Sequence, residues 1–344
     1  MKKKLFIQIP CYNEEKTLPS VVADLPRSIE GIDQIYTLVI DDGSTDLTFK
    51  VAQDIGIDYI IRNHRNLGLA KSFEKGIDAS LFLGADIIVN TDGDNQYRGN
   101  DICSIIKPIL ENQTDVVIGC RNIDDQAEFS WVKKILQKFG SKVVRLISGT
   151  NVPDTTSGFR AMNRKSAIRC SYMSDFSYTL EMLIQASRTG LKVDWKPIKT
   201  NAILRESRLF KSIPDFIFKQ LKTIFIVYLF YRPMHFFGIL SSVFFVLSIL
   251  LSFRIIYFLW FLDPGFARLK TGSSILLIFS SIVAVFFLVA GLLGSVLSGL
   301  RFLLIDIRSR VRNYEIQQNL PLTDIDIVTT HEFFSWSKEK DTIV

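Results

Sequence analysis

The chain has little of what builds zinc sites or disulfide frameworks. Its three histidines, His64, His235 and His331, are scattered through 344 residues and suggest no zinc site. Its four cysteines, Cys11, Cys103, Cys120 and Cys170, form no Cys-x-x-Cys pair. They read as reduced thiols of a cytosolic domain. Only five residues lie between the basic start Met1-Lys2-Lys3-Lys4 and Pro10, too few for the apolar core of a signal peptide. No internal repeat or low-complexity segment is present. Charge is absent from Thr271 to Leu300, and Arg254 is the only charge from Phe236 to Leu262.

Those two uncharged runs are each long enough to cross a hydrocarbon core of about 30 Å, which takes roughly 20 helical residues. They are too long and too uniformly apolar for core helices of a soluble domain. A short linker, Asp263 to Lys270, makes them a hairpin with spans at about 236–262 and 272–300. Lys211, Lys219, Lys222 and Arg232 precede the hairpin, and Arg301, Arg308, Arg310 and Arg312 follow it. The positive-inside rule then places both termini and the large N-terminal domain in the cytoplasm, at the cell (inner) membrane. Arg254 falls near the far interface, where it can snorkel. The net charge of +6 is concentrated beside the spans. It suits an anionic leaflet rather than nucleic acid.

Ile213 to Tyr231 has the pattern of an amphipathic helix lying in the membrane interface, with a helix packed on the soluble domain as the alternative. Gly291, Ser295 and Gly299, spaced by four, form a small-residue stripe that permits a tight hairpin or a homo-oligomer. The expected organisation is therefore a catalytic domain over 1–205, a juxtamembrane amphipathic region over 206–234, the two spans within 235–304, and a cytoplasmic polar tail over 305–344.

The first 205 residues alternate short apolar runs with helical segments. Strands are expected at Leu5–Ile9, Tyr36–Ile40, Tyr59–Arg62 and Ile87–Thr91, and helices at Thr17–Leu25, from about 46 to Ile55, and at Asn66–Leu83. Ser44, Thr45 or Asp46 can cap the second helix. Such alternation argues for an α/β domain with a mostly parallel sheet, whose ligands bind beyond the carboxyl ends of the strands. The polar clusters at 10–15, 41–46 and 92–96 all follow strands and converge on one cleft on this reading. Asp92-Gly93-Asp94-Asn95-Gln96 offers hard oxygen donors suited to Mg²⁺ or Mn²⁺, although an Asx-rich turn alone gives the same pattern.

Four motifs occur in order: Pro10-Cys11-Tyr12-Asn13-Glu14-Glu15, Asp41-Asp42-Gly43-Ser44, Asn66-Leu67-Gly68, and Asp92-Gly93-Asp94. Together they resemble the family 2 glycosyltransferases of the Rossmann-like GT-A fold. Asp154-Thr155-Thr156-Ser157-Gly158-Phe159-Arg160 and the C-terminal spans make the chain similar to the polyprenyl-phosphate branch. That branch includes dolichol-phosphate mannose synthases and undecaprenyl-phosphate sugar transferases. The resemblance implies that Pro10, Tyr12, Glu14 and Asp41 hold the nucleoside of a nucleotide-sugar donor. Asp92, Asp94 and Gln96 would bind the metal at its diphosphate. Arg121 and Arg160, then Arg205, Ser207 and Arg208, would receive the phosphate of a polyprenyl-phosphate acceptor. Asp94, Arg121, Asp154 and Arg160 form the expected catalytic set, with Asp154 orienting rather than acting as a base and Glu181 a further cleft residue. Gly93 and Tyr97 stand where members often have alanine and histidine, and Arg205-Glu206-Ser207-Arg208 departs from the usual glycine and Ser-Lys pair.

The implied reaction is an inverting, metal-dependent transfer of one sugar, with UDP-glucose favoured over other UDP-sugars or GDP-mannose. A processive polysaccharide synthase would need more spans and a Gln-x-x-Arg-Trp motif, whereas Gln185-Ala186-Ser187-Arg188 is followed by Thr189. A non-catalytic membrane scaffold would have no need of the Asp92, Asp94 and Arg160 set.

Overall fold

The computed structural model describes residues 2–122, 131–169, 178–201, 213–261, 267–318, 320 and 327–329. Eight strands form one sheet: β1 (Lys4–Cys11), β2 (Gln34–Asp41), β3 (Tyr59–Arg62), β4 (Ile87–Asn90), β5 (Val116–Arg121), β6 (Arg160–Asn163), β7 (Val193–Ile198) and β8 (Ile327–Thr329), in the order β7-β5-β6-β4-β1-β2-β3-β8. β1 runs parallel to β2 and β4, and β2 parallel to β3. β6 is antiparallel to both β4 and β5, so β5 and its parallel neighbour β7 point the same way as β4. The sheet is thus mostly parallel, with β6 and the edge strand β8 reversed.

The strand sequences explain this. Leu5, Phe6, Ile7 and Ile9 are fully buried, so β1 is covered on both faces and reads as an unbroken apolar run. Leu5 and Ile7 pack on helix α4 (Asp101–Leu110), and Ile9 packs with Val39 on α1 (Leu18–Ala23) and α2 (Thr48–Asp54). Alternate residues Leu38 and Ile40 face the other way, towards Ala79 of α3 (Leu69–Phe82). The observed elements match those expected from the sequence to within a few residues at each end. β1 and β2 run on to Cys11 and Asp41, which carries the polar clusters directly off the strand ends.

Helices α5 (Trp131–Ser148), α6 (Arg164–Arg169) and α7 (Tyr178–Arg188) complete the sheet-bearing part. Beyond it lie α8 (Ile213–Tyr231), α9 (Pro233–Phe261) and α10 (Ala267–Gln317). The chain divides into two compact units, Met1–Gln220 with Ile305–Val344, and Leu221–Leu304. α9 and α10 have segments of mean hydropathy 2.4 and 2.8, of which only 11% and 17% is buried, so they are not core helices. In their hairpin Ser248 Oγ lies 2.7 Å from Ser280 Oγ, and Ser241 Oγ donates to the Ala284 carbonyl. The expected stripe of Gly291, Ser295 and Gly299 is only partly used there. A Cβ on Gly291 would touch Phe237, and one on Gly294 would touch Pro233, whereas Gly299 faces open space.

The expectation of a separate polar tail after 305 is corrected. α10 continues as helix to Gln317, and its end docks on the sheet-bearing unit. Arg312 is 5% exposed and pairs with Asp78 at 2.7 Å and Glu74 at 3.2 Å on α3, while Arg308 pairs with Glu74 at 2.8 Å. β8 then extends the sheet along β3. The sequence pattern hides this because three strand residues, the buried Arg312 and the exposed Arg308 look like a solvated segment until their partners are known.

Candidate active site

The loop after β1 is fastened to the loop after β2. Asn13, at φ 57°, donates its N–H to Ser44 Oγ, and its side-chain oxygen accepts from the Thr45 N–H at 2.8 Å. Glu14 is buried, its N–H donates to Thr48 Oγ1, and its carboxylate lies 2.7 Å from the Thr17 hydroxyl. That hydroxyl is also 2.7 Å from the Gly93 carbonyl, which ties the first loop to the loop after β4. Tyr12 is 39% exposed at the mouth.

The two aspartates at the end of β2 have different environments. Asp42 accepts from Asn63 Nδ2 and from the N–H groups of Leu67 and Gly68, all within 2.9 Å, so it shapes the 63–68 loop. Asp41 is fully buried. Its Oδ1 accepts from the Ser44 N–H, while its Oδ2 has no hydrogen-bond partner and lies 3.5 Å from Arg62 Nε. A buried carboxylate oxygen left this way is costly unless a donor reaches it. Asp46 accepts from the Thr48 and Glu15 N–H groups, one residue ahead of Leu47, the N-cap of α2.

Asp92 and Asp94 follow β4. Burial, and then the Asp94 carboxylate, push Asp92 up to about 7. Asp94 Oδ1 accepts from the Gln96 N–H. Among the described residues no group of three or more His, Cys, Asp or Glu side chains assembles around a metal position. Two crowded carboxylates with the Gln96 amide oxygen nearby nevertheless fit a divalent cation that takes its remaining ligands from a diphosphate. A cation would remove the repulsion that raises Asp92. The carboxylate is walled in by Gly158, where a Cβ would lie 2.8 Å from Asp92 Oδ1 and 3.0 Å from the Tyr178 hydroxyl.

Arg121, at the end of β5, makes a two-pronged contact with the fully buried Asp154: Nε to Oδ2 at 2.8 Å and Nη2 to Oδ1 at 3.3 Å. Its Nη1 lies 3.4 Å from Gln96 Oε1, which links the β5 and β4 loops. Burial alone would raise the Asp154 carboxyl, but the Arg121 charge and hydrogen bonds hold it below the ordinary carboxylate range. Asp154 is therefore occupied by Arg121. Thr156 and Gln137 of α5 join this cluster, with Gln137 Nε2 3.0 Å from Thr156 Oγ1. On its other side Arg121 borders an open groove of about 630 Å³ with Lys138, Lys142, Arg145, Phe139 and Trp195.

Arg160 differs from its expected place. It is fully buried, and its guanidinium donates to the carbonyls of Ser157, Thr155 and Thr179 at 2.6–2.9 Å. It holds the 155–160 segment and α7 together rather than facing a groove. Tyr97 fills the position where the resembled family often has histidine: its hydroxyl accepts from the Gly158 N–H, its ring stacks on Phe159, and burial pushes it up to about 12. Glu181 is buried in the first turn of α7. Arg205, Ser207 and Arg208 lie outside the described residues. Thr17, Gln137 and Tyr178 carry no site motif in the sequence, because each meets a neighbour distant in the chain.

Residues 6–170 match the model of glycosyl transferase family 2. The UDP-N-acetylglucosamine–dolichyl-phosphate N-acetylglucosaminyltransferase of Methanococcus voltae is 30% identical, over 58% of this chain and 86% of that protein. The polyprenol monophosphomannose synthase of Mycolicibacterium smegmatis is 25% identical, over 57% and 77%. Glucosyl-3-phosphoglycerate synthase from Mycobacterium tuberculosis, solved with Mn²⁺ and UDP-glucose, shares the fold with a TM-score of 0.51 and 17% identity, over 66% of this chain and 78% of that one.

Proposed function

This chain belongs to glycosyltransferase family 2, and on that footing we propose that it moves one sugar from a nucleotide-sugar to a polyprenyl phosphate at the cytoplasmic face of a membrane. The observation that supports this best is the alignment along one sheet edge of three fittings. These are the orphaned Asp41 Oδ2, the crowded Asp92–Asp94 pair, and the Arg121–Asp154 pair linked to them through Gln96.

Asp41 Oδ2 would accept from an N–H of the base, with Tyr12 and Pro10 flanking the nucleoside and Glu14 holding the loop. Asp92, Asp94 and Gln96 would hold Mg²⁺ or Mn²⁺ against the donor diphosphate, and the cation supplies compensation for the charge that builds on the leaving group. The acceptor monophosphate, with a second pKa of about 6, is mostly dianionic near neutral pH and needs no strong base. It needs cations that orient it in line with the sugar. Arg121 borders the basic groove, which supports it in that role. Asp154, already paired, keeps that guanidinium oriented. Arg160 holds the carbonyl of Ser157, next to Gly158, so its role becomes positioning. One in-line displacement inverts the anomeric centre and gives a β-linked lipid from an α-linked donor.

UDP-glucose is the first donor to test, with UDP-N-acetylglucosamine and GDP-mannose beside it. Each labelled donor is incubated with undecaprenyl phosphate and the full chain in detergent, with Mg²⁺, Mn²⁺ or a chelator. A chelator-sensitive, mild-acid-labile glycolipid from one donor, lost in Asp94→Ala, is the expected result. Nucleotide binding without glycolipid from any donor would move the weight to another acceptor.

A further inference from the structure

The stretch that carries Asp92, Asp94 and Gln96 is tied at both ends to one glycine far along the chain. Asn90, fully buried at the end of β4, donates from Nδ2 to the Gly158 carbonyl at 2.9 Å. Tyr97, also buried, accepts the Gly158 N–H on its hydroxyl at 3.1 Å. The N–H and the carbonyl of Gly158 are therefore both held by side chains that bracket the two aspartates in the sequence. Asn90 is fixed in turn. Its Oδ1 accepts from Gln8 Nε2 at 3.0 Å, and its side chain also hydrogen-bonds Tyr178. Buried polar groups that satisfy one another in this way form a stiff network.

Gly158 is the wall against which the Asp92 carboxylate rests, with no room for a Cβ between them. A glycine held at its N–H and its carbonyl cannot turn away from that contact. The main chain around Tyr97, by contrast, does not rely on the Tyr97 hydroxyl. The Asn201 N–H donates to the Gln96 carbonyl at 2.9 Å, Asn201 Nδ2 donates to the Asn95 carbonyl at 3.2 Å, and Tyr97 forms a β-bridge with Thr200. The Tyr97 ring has its own support, stacked on Phe159 at 5.2 Å with the Arg121 guanidinium 5.9 Å from its centre. Removing the hydroxyl thus leaves segment and ring in place. It releases only what the hydroxyl holds, the Gly158 N–H and the Ser157 side chain.

We propose that Tyr97 and Asn90 are positioning residues, which act through Gly158 to hold the Asp92 carboxylate in place for a divalent cation. The inference rests on the reading of Asp92 and Asp94 as the metal pair of a nucleotide-sugar site. Groups one step behind a metal ligand typically carry about 10–100-fold in metal affinity.

The test is Mn²⁺ titration of the full chain in detergent with UDP present, followed by electron spin resonance. Tyr97→Phe removes one hydroxyl and keeps the ring. Asn90→Leu removes the bond to the Gly158 carbonyl, and if it does not fold, Tyr97→Phe decides alone. Ser166→Ala is the control. It deletes another fully buried hydroxyl, bonded to the Asp115 carbonyl at 3.0 Å, at the opposite end of β5 from Arg121. We expect Mn²⁺ affinity to fall about tenfold or more in Tyr97→Phe and Asn90→Leu and to stay unchanged in Ser166→Ala. UDP affinity in chelator, which draws on Asp41, should be the same in all three. In an Asp92→Asn background Tyr97→Phe should cost nothing further, because the route ends at that carboxylate. Wild-type Mn²⁺ affinity in either folded variant, an equal loss in Ser166→Ala, or a full additional loss in the Asp92→Asn background would each overturn the proposal and leave the transferase reading intact. A wild type that binds UDP and no Mn²⁺ would overturn it together with the metal assignment. Sugar transfer is not part of the readout, so a failed acceptor or donor choice cannot be mistaken for failure of the positioning role.

Discussion

Gly158 lies so close to Asp92 that a Cβ on the glycine would sit 2.8 Å and 3.0 Å from the two carboxylate oxygens. The carboxylate cannot yield toward Tyr178, whose hydroxyl is also 3.0 Å from that position. Gly158→Ala is therefore expected to displace Asp92. Overpacking of this kind costs about 1–3 kcal/mol of stability. Shifting a group that orients a metal ligand typically costs about 10–100-fold in metal affinity or activity. Mn²⁺ titration followed by electron spin resonance, alongside a melting curve, separates the two effects. Unchanged Mn²⁺ affinity in a folded variant would remove Asp92 from the metal set.

Asp92 also sets a pH dependence in metal-free protein. Its carboxyl is pushed up to about 7 by burial and by Asp94, above its unfolded value of about 3.9. The native state then holds more protons than the unfolded state between those values, so stability falls as pH rises through about 7. Melting in chelator should drop between pH 5.5 and 8, and Asp92→Asn should flatten that drop. Added Mn²⁺ should reverse it in the wild type, because the cation favours the ionised pair. A chelated wild type that melts higher at pH 8 than at pH 5.5 would contradict the assignment.

Breaking the Arg121–Asp154 pair leaves a buried charge without its partner. Such changes cost about 3–5 kcal/mol. Arg121→Met and Asp154→Asn should both lower the unfolding free energy by that amount, read from the denaturation midpoint and slope. Arg121→Lys should keep more stability than Arg121→Met and still lose most transfer, because an ammonium cannot form the two-pronged contact. Kinetics on Arg121→Lys provide the check: retention of wild-type kcat would show that its planar fork is not used.

Asp41→Asn tests the orphaned oxygen. The variant keeps the Oδ1 contact to the Ser44 N–H, so its melting temperature should change little. A hydrogen bond to a charged group contributes about 1.5–3 kcal/mol, so nucleotide affinity should fall by at least about tenfold. Calorimetric titration with UDP and GDP measures the loss and shows which base the pocket prefers. An unaffected affinity would place the base elsewhere.

Arg312 joins the end of α10 to α3. Its loss leaves Asp78 and Glu74 in a half-buried pocket, and burial already raises the Asp78 carboxyl against the pull of Arg312 and Arg308. Arg312→Ala should destabilise the sheet-bearing unit by about 3–5 kcal/mol. Asp78→Asn in the same chain should recover part of that. Chemical denaturation of the two variants decides it. Equal loss in both would mean that packing, not charge, holds the helix end.

The sequence alone was enough for the elements and the chemistry class. Unbroken apolar runs such as Leu5–Ile9 become doubly covered strands because no solvent-facing residue interrupts them, and two uncharged stretches become long apolar helices for the same reason. Short-range motifs at strand ends placed Asp41, Asp92 and Asp94 on one edge, since topology sends parallel strand ends to one side. Roles that depend on who the neighbours are were decided only in three dimensions. Asp42 became a loop anchor and Asp41 kept a bare oxygen, though they are adjacent in the chain. Arg160 turned inward to backbone carbonyls while Arg121 stayed at a groove, because burial and partners, not residue type, set what a guanidinium meets. The docking of Arg312 and the added strand β8 are contacts between segments far apart in the chain. No local periodicity encodes them, and the packed tertiary structure alone brings them together.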